Sequence, residues 1–314
     1  MHKLALVFPG QGSQFVGMGQ ALYAQSAEAR ALFAHADALL GLPLSRLCLE
    51  GPQAELDDTA NTQPAIFLVT LALWQLVATR VRALAERVVC VAGHSLGEYA
   101  ALAVSGALNW EEGLRLVRAR GEAMRAAGQA APGGMAAIIG LPAQAVDDLV
   151  TEVNADTPSV WIANDNMPSQ IVIAGGAAAL ERALALARVR GAKRATPLAV
   201  SVACHTPLMA PAAERLANAL EQTPLERPWT PVLQNTTARA TSDPIELRAA
   251  LLQQLTAPVR WVESIRAARA SGADTFVEIG PRSVLAGLIE RIDGDATVHA
   301  LTDADALRAF AWED

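Results

Sequence analysis

Cysteine is scarce: Cys48, Cys90 and Cys204 are the only three in 314 residues, and no two of them form a CxxC pair. A disulfide framework and a thiol-based metal site are therefore excluded, and the pattern fits a reducing, cytoplasmic setting. Basic excess is also lacking. Acidic residues outnumber basic ones, 32 to 25, for a net charge of -7, and a surface of that sign does not neutralise phosphates. Nucleic acid is thus not an expected partner. No run approaches the roughly 20 apolar residues of a membrane span, so no membrane association is expected. The opening Met1-His-Lys-Leu-Ala-Leu-Val-Phe8 is too short for a signal-peptide core and runs directly into Pro9-Gly10, so it reads as a buried first strand. With 52% hydrophobic and 18% charged residues, the chain can bury a large core, and a disordered or fibrous protein is excluded.

Against these absences stands Val88-Val-Cys-Val-Ala-Gly-His-Ser-Leu-Gly-Glu98, an apolar strand that meets a tight turn with Ser95 at its apex. Gly93-His-Ser-Leu-Gly97 fits the Gly-X-Ser-X-Gly nucleophile elbow. One glycine lets the strand turn back, and the other lets the following helix pack close. That helix presents free N–H groups and the positive end of its dipole beside the serine.

In chain order, the pattern predicts a strand at 4–8 and a Gly-rich loop at 9–14. The loop lacks the Lys-Ser/Thr ending of a P-loop. Helices follow at 26–40 with a Ser cap, and at about 62–81, where the segment is apolar nearly all round and so is expected in the centre of the fold. Further helices are expected at 95–105 and 110–129, with most of Arg115, Arg118, Arg120 and Arg125 facing solvent. Residues 128–134 read as a linker. After it, strands at 135–140, 160–163, 170–174 and 194–199 and helices at 143–153 and 177–189 give the order β-α-β-β-α-β of a ferredoxin-like unit. The chain then resumes alternating helices and strands, among them strands at 231–235 and 274–279 and a helix opening at Gly280-Pro-Arg-Ser283 with phosphate-friendly N–H groups. The expected fold class is α/β: a large, α/β-hydrolase-like subdomain (1–128 and 200–314) with a mostly parallel sheet, plus an inserted small ferredoxin-like subdomain (129–199). A cleft between the two is the expected ligand address.

A serine hydroxyl needs a base within about 3 Å. His2, His35 and His299 lie in unsuitable places. His94 adjoins Ser95, yet adjacent side chains at the end of a strand point to opposite sides. His205, where the small subdomain returns to the large one, is the better candidate. No acidic residue stands out as a third member; a backbone carbonyl can orient the imidazole instead, leaving a dyad.

Several ordered motifs share a pattern with a known family: Phe8-Pro-Gly-Gln-Gly-Ser-Gln14, Thr62-Gln-Pro-Ala65, the elbow, Arg120-Gly121 with Met124, Gly134-Met-Ala-Ala-Ile-Ile-Gly140, Asn164-Asp-Asn-Met-Pro-Ser-Gln170, His205 with Pro207-Leu-Met209, Gln254-Leu255 with Pro258-Val-Arg-Trp261, and Glu278-Ile-Gly-Pro281. Across nearly its whole length the chain resembles the malonyl-CoA:acyl carrier protein transacylases and related acyltransferase domains of fatty acid and polyketide synthesis. The resemblance implies Ser95 as nucleophile, His205 as base and acid, and the N–H groups of Gln11 and Leu96 as an oxyanion hole. It implies Arg120 as the clamp on a malonyl carboxylate and the main-chain carbonyl of Gln254 as the partner of His205. Asn164 and Gln63 would line or support the cleft.

By the same resemblance the substrate is malonyl-CoA and the partner is an acyl carrier protein bearing phosphopantetheine. No permanently bound cofactor or metal is implied, and a monomer is expected. The residues before the base, Val202-Ala-Cys-His205, match neither sequence commonly associated with extender choice in synthase domains, whereas Arg120 favours a carboxylated acyl group. Arg188, Arg190, Lys193 and Arg194 form a candidate basic patch for the acidic carrier. Service to a polyketide synthase in trans, the transacylase subunit of a malonate decarboxylase, thioester hydrolysis and a silent acyl-binding scaffold remain the alternatives.

Overall fold

In the computed structural model, which describes residues 2–200 and 202–310, β1 (Leu4–Phe8) is buried at every position. Its alternation divides two cores: Leu4, Leu6 and Phe8 join the larger cluster, while Ala5 and Val7 join the one around Trp261 and Phe276. The other strands are β2 (Val88–Gly93), β3 (Gly133–Ile139), β4 (Val160–Met167), β5 (Gln170–Gly176), β6 (Arg194–Pro197), β7 (Val232–Leu233), β8 (Ala240–Thr241), β9 (Thr275–Ile279) and β10 (Thr297–Leu301). One sheet has the order β10-β9-β1-β2-β7-β8 and is parallel except at β8. The other has the order β4-β5-β3-β6 and is antiparallel throughout. With helices Ala143–Val153 and Ala177–Val189 it forms the ferredoxin-like arrangement, built on its own core of Ile138, Val146, Leu149, Ile173 and Leu184.

The apolar helix is longer than its pattern suggested. It spans Thr59–Ala83 because Asp58 caps it by accepting from the Ala60 N–H at 2.9 Å. By length and composition it could cross a membrane, contrary to the sequence-based expectation for any run in this chain. Of that apolar stretch, 72% is buried inside the fold, where it forms the central core helix. Pro64 lies within it and cannot donate to the Ala60 carbonyl; Arg118 Nη1 donates to that oxygen instead, at 3.0 Å. Arg118 therefore locks helix Trp110–Ala130 to the central helix and is not the solvent-facing charge expected of it. The two helices touch closely at Gly121, where a Cβ would lie 2.6 Å from the Thr59 carbonyl oxygen.

Other boundaries move for local reasons. Gly133 and Gly134 pair with Gly176 and Gly175, so the expected linker is already strand. β4 continues to Met167, and its edge is tied to the large subdomain: Val259 N–H donates to the Ala163 carbonyl at 2.9 Å and Asp165 N–H to the Val259 carbonyl at 3.0 Å. Residues 280–283 do not begin a helix, which starts at Ala286. The amides of Val284, Leu285 and Ala286 already donate to the buried Glu278 carboxylate at 2.8–2.9 Å, so they are not open to a phosphate. Ser201, at the chain's return to the large subdomain, lies outside the described residues, as do 1 and 311–314.

Candidate active site

The elbow is shaped by backbone contact. A Cβ on Gly93 would fall 1.9 Å from the Gly97 carbonyl, and one on Gly97 would fall 2.0 Å from the Phe8 carbonyl, so neither position accepts a side chain. Between them Ser95 takes a left-handed φ of 51°, rare for a residue with a Cβ. Asn235 holds that conformation: its Oδ1 accepts from the Ser95 N–H at 2.6 Å and its Nδ2 donates to the Gly93 carbonyl at 2.6 Å. Sequence reasoning missed Asn235, because nothing local marks an asparagine that follows a two-residue strand.

His205, also left-handed with a φ of 61°, presents Nε2 to Ser95 Oγ at 2.8 Å. Its Nδ1 lies 2.8 Å from the Gln254 main-chain oxygen. A carbonyl can only accept, so Nδ1 bears the proton and Nε2 offers its lone pair to the hydroxyl. Burial, and then the nearby Arg120 charge, push the imidazole down to about 3, which keeps it neutral. His94 turns away: its Nε2 lies 2.8 Å from Asn166 Oδ1, and burial lowers its pKa. Cys204, beside the base, is buried, and that burial raises its thiol to about 11, so it is not a competing nucleophile.

Arg120 is only 1% exposed. Its Nη1 donates to Gln63 Oε1 at 2.7 Å, and its Nη2 donates to Gln254 Oε1 at 3.0 Å and to Ser95 Oγ at 3.2 Å. Its Nε is buried without a partner among the described residues, and its Cζ lies 5.5 Å from the centre of the Tyr99 ring. Gln63 Nε2 donates to the Thr59 hydroxyl at 3.1 Å, and that hydroxyl donates to Gln11 Oε1 at 2.9 Å. This chain of polar groups joins Arg120 to the first loop. Within that loop Gly12 N–H is taken by Gln14 Oε1 at 2.7 Å and Ser13 N–H by the Gly10 carbonyl at 3.3 Å, which leaves no phosphate cradle. The Gln11 and Leu96 amides have no acceptor among the described residues. Gly10 brings the loop against the elbow: a Cβ there would lie 2.3 Å from the His94 carbonyl and 3.5 Å from the Leu96 nitrogen.

A cavity of about 140 Å³ opens over these groups, walled by Ser95, His205, Arg120, Gln11, Asn164 and Met135 among others. A second, of about 450 Å³, continues past Gln11 and Val200 to Asp58, Arg125 and Pro132. Of the residues expected at the site from sequence, Ser95, His205, Arg120, Gln11 and Asn164 line one cleft, while Gln63 and Gln254 stand behind Arg120 as its hydrogen-bond partners. The basic patch is different. Arg188 donates to the Ala195 carbonyl at 2.9 Å and Arg190 pairs with Glu152, while Lys193 and Arg194 are exposed.

A model of the acyl transferase domain matches residues 5–307. The malonyl CoA-acyl carrier protein transacylase of Bacillus subtilis (strain 168) is 41% identical over 307 residues, covering 98% of this chain and 96% of that protein. The malonyl-CoA:acyl carrier protein transacylase of Xanthomonas oryzae pv. oryzae superposes with a TM-score of 0.92 at 42% identity, over 99% of each chain. A malonyl-transacylase solved in complex with the holo form of a type II polyketide synthase acyl carrier protein superposes with a TM-score of 0.91 at 39% identity, over 98% of each chain.

Proposed function

The chain belongs to the acyl transferase domain family, and from that premise we propose that it moves a malonyl group from malonyl-CoA to the phosphopantetheine thiol of an acyl carrier protein through a malonyl-Ser95 ester. The observation that carries this reading is the buried Arg120 guanidinium beside the Ser95 hydroxyl. A permanent cation buried beside the nucleophile calls for an anionic substrate group, and the planar fork of arginine suits a carboxylate.

His205 Nε2 takes the Ser95 proton as Oγ bonds to the thioester carbonyl carbon. Gln11 and Leu96 N–H groups receive the developing oxyanion, each such donor contributing on the order of 10²–10³ in rate. The C–S bond then breaks, and the imidazolium returns its proton to the CoA sulfur. In the second half His205 deprotonates the carrier thiol, the sulfur attacks the acyl carbon, and Oγ leaves with the proton. The main-chain oxygen of Gln254 holds the imidazole tautomer that both halves require. Asn164 and Gln63 serve as cleft wall and as support for Arg120.

Hydrolysis is the less favoured reading, because a main-chain oxygen and not an acidic residue partners His205, and because Arg120 suits a carboxylated acyl group. Service to a polyketide carrier is a second reading, favoured by the solved relative that carries one. The test is a burst of CoA, one per chain, on mixing with malonyl-CoA before any carrier protein is added. Release of CoA only in step with carrier would overturn the covalent route.

A further inference from the structure

The buried carboxylate of Glu98, in the first turn of the elbow helix and 1% exposed, has no part in the mechanism above. Its Oε2 accepts from Gln254 Nε2 at 2.7 Å and from the Asn235 N–H at 3.3 Å. These partners are the residues that hold the site together. Gln254 supports His205 through its main-chain oxygen, and its side chain joins Arg120 at one end and the Ser95 carbonyl at the other, at 3.0 Å in both cases. Asn235 holds the turn of Ser95.

A primary amide has two unlike ends. Glu98 Oε2 and the Ser95 carbonyl both accept, so Nε2 must face them, and Oε1 is thereby left for the donor Nη2 of Arg120. The partners of Arg120 named above, Gln63, Gln254 and Ser95, are all neutral, so the way the Gln254 amide is turned decides whether Arg120 Nη2 meets an oxygen or an amide nitrogen. Burial raises the Glu98 carboxyl to about 7 against the opposing pull of Gln254, Asn235 and Arg120.

Resting on the malonyl-transfer reading, we propose that Glu98 is a positioning residue that fixes the Gln254 amide with its oxygen toward Arg120 and so sets the preference for carboxylated over uncharged acyl groups. It touches no substrate and acts through Gln254.

The test compares kcat/KM for malonyl-CoA and acetyl-CoA in the full chain. Glu98→Met, which keeps the length and removes the acceptor, is expected to lower the malonyl-to-acetyl ratio by about ten-fold, the size of a lost hydrogen bond in a charged network. Glu98→Gln retains an acceptor oxygen and is expected to keep the ratio within about three-fold of wild type. In an Arg120→Ala background, Glu98→Met is expected to leave the ratio unchanged, since the route through the guanidinium is already gone. An unchanged ratio in Glu98→Met alone, or an equal drop in the Arg120→Ala background, overturns the proposal. If Glu98→Met does not fold, Gln254→Met, which keeps the main-chain oxygen behind His205, carries the same expected loss and the same overturning result. Failure of the wild type to acquire a malonyl group sinks the transfer reading itself; normal wild-type loading with an unaltered Glu98→Met ratio sinks only the role of Glu98.

Discussion

Arg120 Nη2 lies 3.2 Å from the same Ser95 oxygen that His205 Nε2 approaches at 2.8 Å. One hydroxyl thus faces a neutral base and a fixed cation at once. Arg120→Ala is expected to lower kcat/KM for malonyl-CoA by roughly 10- to 100-fold, the range for losing charge-assisted hydrogen bonds, and to spare acetyl-CoA. Arg120→Lys does not restore the preference, because a point charge lacks the fork. Steady-state rates with the two thioesters check both outcomes.

The pH dependence follows from the charges around His205. Its pKa of about 3 in the free protein puts the acid limb of kcat/KM far below the ordinary imidazole range. A bound malonyl carboxylate offsets the Arg120 charge, so the acid limb of kcat, which reports the loaded enzyme, is expected at higher pH than that of kcat/KM. A pH–rate profile with the two limbs reversed contradicts this. For stability the signs oppose. The unfolded chain binds the extra His205 proton between about pH 3 and 6.5, so stability rises with pH across that window. The folded chain retains the Glu98 proton between 4.5 and about 7, so that contribution is lost as pH rises through it.

Asn235→Leu removes the acceptor for the Ser95 N–H and the donor to the Gly93 carbonyl, both at 2.6 Å. Each buried backbone group left unpaired costs about 1–3 kcal/mol. Denaturant unfolding is expected to show that loss, with activity falling further because the left-handed turn at Ser95 is no longer held. Full activity in a destabilised variant would show that the turn holds without Asn235.

Much of this arrangement was legible in the sequence. The strand at 4–8, the apolar strand before Ser95 and the helices at 143–153 and 177–189 follow from apolar runs and periodicity, and the order of the small sheet follows from its strand and helix succession. His205 stood out as the better base by its place in the chain, and the resemblance tied it to Ser95 across the 110 residues that separate them. Asn235, Thr59 and the side chain of Gln254 were not legible, because their roles arise from tertiary contacts that leave no period or spacing in the chain. Arg118 was misread for the same reason: its partner is a carbonyl freed by a proline 54 residues earlier in the sequence.

Strand β6 begins at Arg194, and four residues later Leu198 lines the cavity. At about 3.3 Å per residue, Lys193 and Arg194 stand within roughly 16 Å of that wall, a fitting distance for a tethered thiol. Reversing both charges, with Lys193→Glu and Arg194→Glu, is expected to raise KM for carrier protein by roughly ten-fold and to leave KM for malonyl-CoA unchanged, as for charges at the rim of an interface. An unchanged KM for carrier moves the docking surface elsewhere.

The most direct test of the account is the mass of the peptide containing Ser95 after brief exposure of the protein to malonyl-CoA alone. A single malonyl ester on Ser95, absent in Ser95→Ala, is the predicted result. CoA release without that adduct, or an acyl group found on another residue, would contradict it.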